Sequence, residues 1–239
     1  METTMDCCWN MIRSNLVEAW GELNDLRRRL RYCETGELPD PPEYGAWLER
    51  QWRKTTEHSL LFGKMEHAYH HLNFGWNCRR FPEKRVIACA RRDYVEWQIF
   101  PRDWPELWPS AGRYTGMPGK VGDGKVCYPT MRIPLDEVSM TLDDVINDMD
   151  ATFPECAEAR TGPGKIRRGR PPMDEEGLGV QMRHIYIYMN YAWNSRHSRK
   201  LTLPGKDAES AATMKRNWQF PREFKDFWPK KQDYEPGHK

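Results

Sequence analysis

The stretch MEHAYHHLNFGWNCR at positions 65–79 has nearly the same sequence as the stretch MRHIYIYMNYAWNSR at positions 182–196. They share Met, His, Tyr, Asn, Trp, Asn and Arg at identical spacing, and they begin 117 residues apart. A second matching pair follows in the same order, with WQIFPRDWPELWP at 97–109 and WQFPREFKDFWP at 218–229. Two matching blocks in the same order predict an internal tandem duplication.

The duplication sets the predicted domain organisation. A first helical unit covers 1–109, a connector rich in Gly and Pro covers 110–135, and a second helical unit covers 136–239. We expect a mostly α fold in which the two units pack as a pseudo-two-fold pseudo-dimer, with minor β structure and long Gly/Pro-rich loops. Whether the units form one compact fold is left open.

Apolar periodicity and the Gly and Pro positions predict the individual elements. Helices are expected at about 5–33, 43–80 with a break near Gly63, 90–99, 136–150, 174–197 and 207–219. Two short strands are expected at 85–89 and 125–133, although neither alternates cleanly between apolar and polar residues.

The shared residues of the first block fall on one stripe of a helix and its shoulders when they are placed about 100° apart. We call the following eight residues the seam: Tyr69, Asn73, Trp76, Asn77, Tyr186, Asn190, Trp193 and Asn194. A buried Asn needs a hydrogen-bond partner, and the equivalent Asn of the other unit is the simplest one. The seam therefore joins the two units, or alternatively lines a ligand pocket between them.

Composition narrows the class of protein. With 38% hydrophobic and 30% charged residues, the chain has the make-up of a globular protein. No apolar run approaches the roughly 20 residues that span a bilayer, and the first residues lack a secretory pattern. The seven cysteines include no Cys-x-x-Cys pair, so reduced thiols and a cytoplasmic location without membrane contact are expected.

The loop GPGKIRRGRPPM at 162–173 concentrates positive charge in Lys165, Arg167, Arg168 and Arg170. Its Arg-Gly-Arg-Pro core resembles the AT-hook, a short motif that lies along the minor groove of A·T-rich DNA. The resemblance covers this loop alone, and it implies that the core arginines enter a narrow, strongly negative groove. Acidic residues follow the loop, so a solvated basic loop is the alternative.

Further basic residues follow the repeated helix in both units: Arg79, Arg80, Arg196, Arg199 and Lys200. Together with the loop they are candidates for contacts to nucleic-acid phosphates. The alternative is that these cations offset the negative end of the helix dipole.

Catalytic and metal-binding patterns are weaker. RKTTEH at 53–58 resembles the Arg-x4-His pair of HEPN-type ribonucleases, but the second unit has no copy of it. His67, His70 and His71 suggest a metal site, but Ile187 and Tyr188 replace the last two in the second unit. We therefore predict no catalytic residue, no metal and no cofactor.

The predicted function is that of a non-enzymatic, cytosolic, nucleic-acid-associated protein. It would be an accessory subunit of a larger complex, with DNA or RNA and other proteins as its partners. The first alternative is a protein–protein interaction scaffold without a nucleic-acid role, and the second is a HEPN-like nuclease.

Overall fold

The computed structural model describes residues 8–37, 58–108, 126–153, 172–198, 217–221 and 223–227. In these ranges the regular structure is helical and no residue lies in a strand, so the predicted mostly α fold is confirmed. The helices are α1 Trp9–Thr35, α2 His58–Asn77, α3 Glu83–Ala88, α4 Arg91–Trp97, α5 Tyr128–Thr152 and α6 Glu175–Ser195. Single 3-10 turns occupy Cys78–Arg80, Pro105–Leu107 and Lys225–Phe227.

α1 forms where the prediction placed it, because apolar residues recur every three or four positions along its 27 residues. Its fully buried stripe consists of Ile12, Leu16, Leu23, Leu26 and Leu30. The helix ends at Gly36, which adopts a φ of 74° and donates its N–H to the Tyr32 carbonyl at 2.8 Å. Glycine accepts this left-handed conformation without a Cβ clash, which makes it a good helix terminator.

α2 runs without interruption through Gly63, so the break expected there does not occur. The part of the prediction at 43–57 lies outside the described residues, as does most of the helix expected at 207–219. Asn217 and Trp218, at the end of that expected helix, are helical.

The predicted strand at 125–133 is wrong, because α5 begins at Tyr128 rather than near residue 136. Met131, Leu135, Val138 and Leu142 are all 0% exposed, and this spacing continues the helical period into the segment assigned to the connector. Pro134 lies inside the helix, where it lacks the N–H that would donate to the preceding turn.

The predicted strand at 85–89 is also wrong, because Glu83–Ala88 forms the short helix α3. Pro82 precedes this helix and Glu83 lies in its first turn, and both residues are favourable at a helix N-terminus. Val86 is buried in a small cluster that also contains Cys8, Phe74, Cys78 and Trp97. Because α3 buries a single residue, its other side chains remain available at the surface.

The long helices share one core. α1 packs against both α2 and α5, and α5 packs against α6. A single cluster of buried apolar side chains includes residues from all four of these helices, so it draws on both predicted units.

The second matching pair of sequence blocks fills the space between α2 and α6. The N–H of Phe100 donates to the carbonyl of Phe227 at 2.8 Å, and the N–H of Phe220 donates to the carbonyl of Leu107 at 2.6 Å. The rings of Phe100 and Phe220 lie 4.4 Å apart between their centroids. The two blocks therefore pair with each other through backbone hydrogen bonds and through their phenylalanine rings.

The described helices and cysteines can be compared with what membrane crossing and disulfide formation require. Among the described helices, none combines the length and apolar character that crossing a membrane requires. The cysteines that the structure describes are all free: Cys8, Cys33, Cys78, Cys89 and Cys127.

Candidate functional site

The seam is buried where α2 and α6 approach each other. Six of its members are at most 4% exposed: Tyr69, Asn73, Trp76, Tyr186, Asn190 and Trp193. The helical stripe inferred from the repeat is therefore the face that each of these helices turns inward. Such burial leaves no surface on these residues for a ligand, so we do not place a pocket at the seam.

Two crossed hydrogen bonds connect the helices. The Tyr69 hydroxyl donates to Oδ1 of Asn190 at 2.7 Å, and the Tyr186 hydroxyl donates to Oδ1 of Asn73 at 2.7 Å. The two tyrosine rings lie 6.4 Å apart and are within 8° of parallel. The expected contact between the two Asn side chains is replaced by these pairs, because a tyrosine hydroxyl reaches further across the interface than a carboxamide does.

The same two Asn side chains also fix the chain that follows each helix. Nδ2 of Asn73 donates to the Gln98 carbonyl at 2.8 Å, and Nδ2 of Asn190 donates to the Trp218 carbonyl at 2.7 Å. Each carboxamide therefore has both ends satisfied, as a buried polar group requires.

Asn77 and Asn194, one helical turn further on, each donate to two backbone carbonyls. Asn77 bonds the carbonyls of Trp97 and Ile99 at 2.9 and 2.7 Å. Asn194 bonds the carbonyls of Asn217 and Gln219 at 3.1 and 2.8 Å. These bonds explain why the sequence repeats Asn at both positions: the first Asn bonds both the tyrosine of the other helix and the downstream segment, and the second Asn bonds the downstream segment alone.

Arg79 is inside the protein. Its guanidinium lies 3.8 Å from the centroid of the Trp76 ring and donates to the Trp76 carbonyl at 2.9 Å. It also donates to Asp103 at 3.0 Å and to Glu175 at 2.9 Å, and the residue is 4% exposed. Burial with two carboxylates satisfies this charge internally.

Arg196 has the same surroundings on the other helix. Its guanidinium lies 4.1 Å from the Trp193 ring centroid, and it donates to the Trp193 carbonyl at 2.6 Å and to Glu223 at 3.1 Å. The residue is 6% exposed. Because neither Arg79 nor Arg196 faces solvent, we correct their assignment: both belong to the packing around the seam rather than to a nucleic-acid surface.

The remaining predicted basic residues divide into two groups. The Arg80 side chain is 62% exposed and lies 2.9 Å from Glu175. The others lie outside the described residues: Lys165, Arg167, Arg168, Arg170, Arg199 and Lys200.

The buried tyrosines have strongly shifted ionisation. Complete burial raises the pKa of Tyr69 well above its usual value, and the nearby Glu223 carboxylate adds to the rise. Burial also raises the pKa of Tyr186, to which Tyr69 and Asp103 contribute. Both hydroxyls are therefore neutral hydrogen-bond donors at physiological pH.

The sequence reasoning missed the acidic partners of this region. Asp103 and Glu223 occupy matching positions in the second pair of blocks, and that match was the available signal. Asp103 also accepts the indole N–H of Trp76 at 2.8 Å. The second pair of blocks thus supplies a carboxylate counter-ion to each of the two buried arginines, Arg79 and Arg196.

A cavity of about 630 Å³ is lined by none of the seam residues. It is lined by residues of α1, α2, α4 and the 3-10 turn Lys225–Phe227, including Glu22, Lys64, His67, His70 and Tyr94. Lys64 donates to Glu22 at 2.6 Å.

The three histidines on this part of α2 contact one another and the neighbouring helices. Nε2 of His67 and Nε2 of His71 are 3.1 Å apart, and the Tyr94 hydroxyl is 3.3 Å from Nε2 of His70. Burial, followed by the charges of His70 and His67, lowers the pKa of His71 to about 4. In the described ranges, no three or more His, Cys, Asp or Glu side chains are grouped so as to hold a metal ion.

Comparison with known proteins gives no match: no family model, no curated protein and no solved structure is significantly similar to the chain. The function must therefore be argued from the residues themselves.

Proposed function

We propose that the chain is a tandem duplication packed as a pseudo-dimer, and that it acts as a nucleic-acid-associated protein. The duplication is supported by contacts that occur in pairs, with the crossed Tyr–Asn bonds at their centre. The residues that directly precede α1 and α5 provide a further match. The N–H of Cys8 donates to the Arg79 carbonyl at 3.3 Å, and the N–H of Cys127 donates to the Arg196 carbonyl at 2.7 Å.

The observation that carries the nucleic-acid proposal is a set of exposed cations on α3 and α4, where they alternate with Glu83, Asp93 and Glu96. Lys84, Arg85, Arg91 and Arg92 are all exposed. Arg85 is paired with Asp93 at 2.7 Å, whereas Lys84 and Arg91 have no ion pair to any residue that the structure describes. Cations without internal partners are free to neutralise phosphates, with release of the counter-ions bound there.

An aromatic side chain lies on the same segment. Tyr94 is 46% exposed and is held by its hydroxyl contact to His70. Exposed aromatic rings beside arginines stack on the bases of single strands, which suits a protein that contacts both phosphates and bases. We therefore propose single-stranded DNA or RNA as the ligand of this surface, with the loop at 162–173 as a second contact.

The alternative of a protein–protein scaffold is favoured by one specific feature of this segment. Ile87 is 70% exposed and Val95 is 44% exposed. Apolar side chains of this kind are typical of a docking surface for another protein. An accessory-subunit role combines the two proposals, because the surface of α3 and α4 would then bind nucleic acid as part of a larger complex.

Salt-dependent binding tests the proposal. Fluorescence anisotropy with labelled single-stranded DNA, single-stranded RNA and an A·T-rich duplex, at 50 and 200 mM salt, should show affinity that falls steeply with salt. The Lys84→Ala/Arg91→Ala/Arg92→Ala variant should bind every oligonucleotide more weakly. Its log–log salt slope should fall by about one for each phosphate that the variant no longer neutralises.

A matched variant removes the same charge elsewhere. Arg28, Arg31 and Arg183 are exposed on α1 and α6, and their replacement by Ala also lowers the net charge by three. This variant should bind nearly as well as the parent chain. No binding of any oligonucleotide at 50 mM salt, or equal losses in both variants, would contradict the proposal and leave the scaffold alternative.

A further inference from the structure

Two histidines on α2 face each other through the same ring atom. His67 and His71 are four residues apart, so their side chains lie on one face of the helix. Their Nε2 atoms are 3.1 Å apart. Both residues face α1, and His67 lines the cavity described above.

The other nitrogen of each ring is occupied by an oxygen acceptor. Nδ1 of His67 lies 2.9 Å from Oε1 of Glu22, and Nδ1 of His71 lies 3.1 Å from Oδ1 of Asn15. The orientation of Asn15 is fixed, because its Nδ2 donates to the Met11 carbonyl at 2.8 Å. An oxygen acceptor requires a proton on the nitrogen that faces it, so both rings carry their hydrogen on Nδ1.

Neutral rings with hydrogen on Nδ1 direct their Nε2 lone pairs toward each other. Two lone pairs at 3.1 Å repel unless something positive lies between them. Metal-bound histidines have this arrangement, in which Nε2 binds the ion and Nδ1–H is held by a carboxylate or an amide oxygen.

We propose that His67 and His71 bind a divalent transition-metal ion such as Zn²⁺ through their Nε2 atoms, with Glu22 and Asn15 orienting the two rings. With metal–nitrogen distances of about 2.0–2.1 Å, two ligand atoms 3.1 Å apart subtend about 100° at the ion. This angle lies between the octahedral and tetrahedral values. Imidazole nitrogen is a preferred donor for Zn²⁺, Cu²⁺ and Ni²⁺.

The site has two protein ligands, so the remaining coordination positions are open to water or to an added ligand. A catalytic zinc site keeps one open position beside three protein ligands, so at this site an added molecule would have to complete the coordination. The cavity beside His67 gives such a molecule room. This proposal is independent of the nucleic-acid proposal. The metal ligands His67 and His71 are not among the residues proposed to contact nucleic acid, and neither proposal predicts the other.

The opposite helix supplies a natural control. His184 occupies on α6 the position that His67 occupies on α2, but Tyr188 stands where His71 would be. The rings of His184 and Tyr188 pack 4.5 Å apart. A metal site need not be duplicated with the fold, so the absence of a second histidine on α6 does not count against the site on α2.

The test uses the full chain without a histidine tag, stripped with a chelator and titrated with Zn²⁺ against a coloured zinc indicator. One equivalent should bind. His67→Gln and His71→Gln should each weaken binding by about tenfold or more, and Glu22→Gln should weaken it by about 10–100-fold. His184→Gln should leave the affinity unchanged.

Two results would overturn the proposal. The first is a parent chain that binds no more Zn²⁺ than the His67→Gln/His71→Gln variant, in which case a shared proton joins the rings. The second is an equal loss in His184→Gln. If a variant fails to fold, long-range ¹H–¹⁵N spectra of the parent chain decide: Zn²⁺ should shift the Nε2 signals of His67 and His71, and unchanged signals would refute the site.

Discussion

The hydroxyl of Tyr69 donates a 2.7 Å hydrogen bond to Oδ1 of Asn190, and neither residue has any exposed surface. The reverse pair, Tyr186 and Asn73, has the same length and the same burial. In a buried setting each bond is valuable mainly because losing it leaves a polar atom without a partner. The crossed pairs therefore specify which faces of α2 and α6 meet.

Breaking one crossed bond should destabilise the protein in a way that depends on its partner. Tyr69→Phe leaves Oδ1 of Asn190 without its donor, and we expect a loss of about 1–3 kcal/mol in the free energy of unfolding. Adding Asn190→Leu should cost less than it does alone, with a coupling energy of about 0.5–3 kcal/mol in urea denaturation. Combining Tyr186→Phe with Asn190→Leu is the control, because these residues share no hydrogen bond. Equal coupling in both pairs would mean that the crossed bonds do not carry the interaction.

The buried tyrosines should make the fold sensitive to alkali. Burial raises the pKa of Tyr69 and of Tyr186 far above that of an exposed tyrosine, about 10. The folded pKa values exceed the unfolded ones, so their contribution to stability is intact below about pH 10 and is lost as the pH rises further. Unfolding followed by circular dichroism should coincide with the last rise in tyrosinate absorbance, after exposed tyrosines such as Tyr94 have ionised. Tyr69→Phe/Tyr186→Phe should be less stable at neutral pH but should lose stability less steeply above pH 10.

Glu175 should contribute to stability in the opposite pH range. Burial alone would raise its pKa, but hydrogen bonds from Arg79 and Arg80 outweigh that and lower the pKa below the ordinary value. The folded pKa is thus below the unfolded one, about 4.3, so the contribution is present above that pH and is lost as the pH falls through the folded value. Glu175→Gln should reduce stability at pH 7 and flatten its decline below about pH 4.5. Because Glu175 is 39% exposed, solvent screening keeps the effect modest.

The adjacent Glu176 provides the control for that experiment. It is exposed, and its side chain has no hydrogen bond or ion pair with any residue that the structure describes. Glu176→Gln therefore removes the same charge without breaking the bridge to Arg79 and Arg80. A Glu175→Gln profile that superimposes on the Glu176→Gln profile would show that the bridge to Arg79 and Arg80 adds nothing.

The sequence repeat predicted which helix faces are buried, but it did not predict which side chains contact each other between the helices. The period of about 3.6 residues identified which side of α2 and α6 is buried, because that depends on spacing alone. It did not reveal that Asn73 and Asn190 each accept a hydrogen bond from a Tyr, because side-chain length and the offset between the helices decide this contact. The start of α5 was missed for a different reason: Pro134 and the Gly-rich stretch before the helix resembled a connector, although Met131 and Leu135 already followed the helical period.

The histidine pair on α2 illustrates the other limit of sequence reasoning. The spacing of His67 and His71 indicated a shared helix face, but the second unit's Tyr188 argued against a metal. What changed the interpretation is the position of oxygen acceptors on α1, namely Glu22 and Asn15. Contacts between helices distant in sequence are not encoded in any local pattern, so the tautomers could not be inferred without the fold.

Two glycines of α2 should respond oppositely to the same substitution. At Gly75 an added Cβ would lie 3.1 Å from Cβ of Asn15 and 3.5 Å from the carbonyl oxygen of Ile12, so α1 would have to move. At Gly63 an added Cβ meets no atom within 4 Å. Gly63→Ala should therefore stabilise the protein by about 0.5–1 kcal/mol through helix propensity. Gly75→Ala gains the same propensity but incurs overpacking of about 1–3 kcal/mol, so it should destabilise. Thermal and urea unfolding of the two variants would measure this difference. If Gly75→Ala were as stabilising as Gly63→Ala, α1 and α2 would not be in close backbone contact at this point, and the placement of Asn15 against His71 would lose its support.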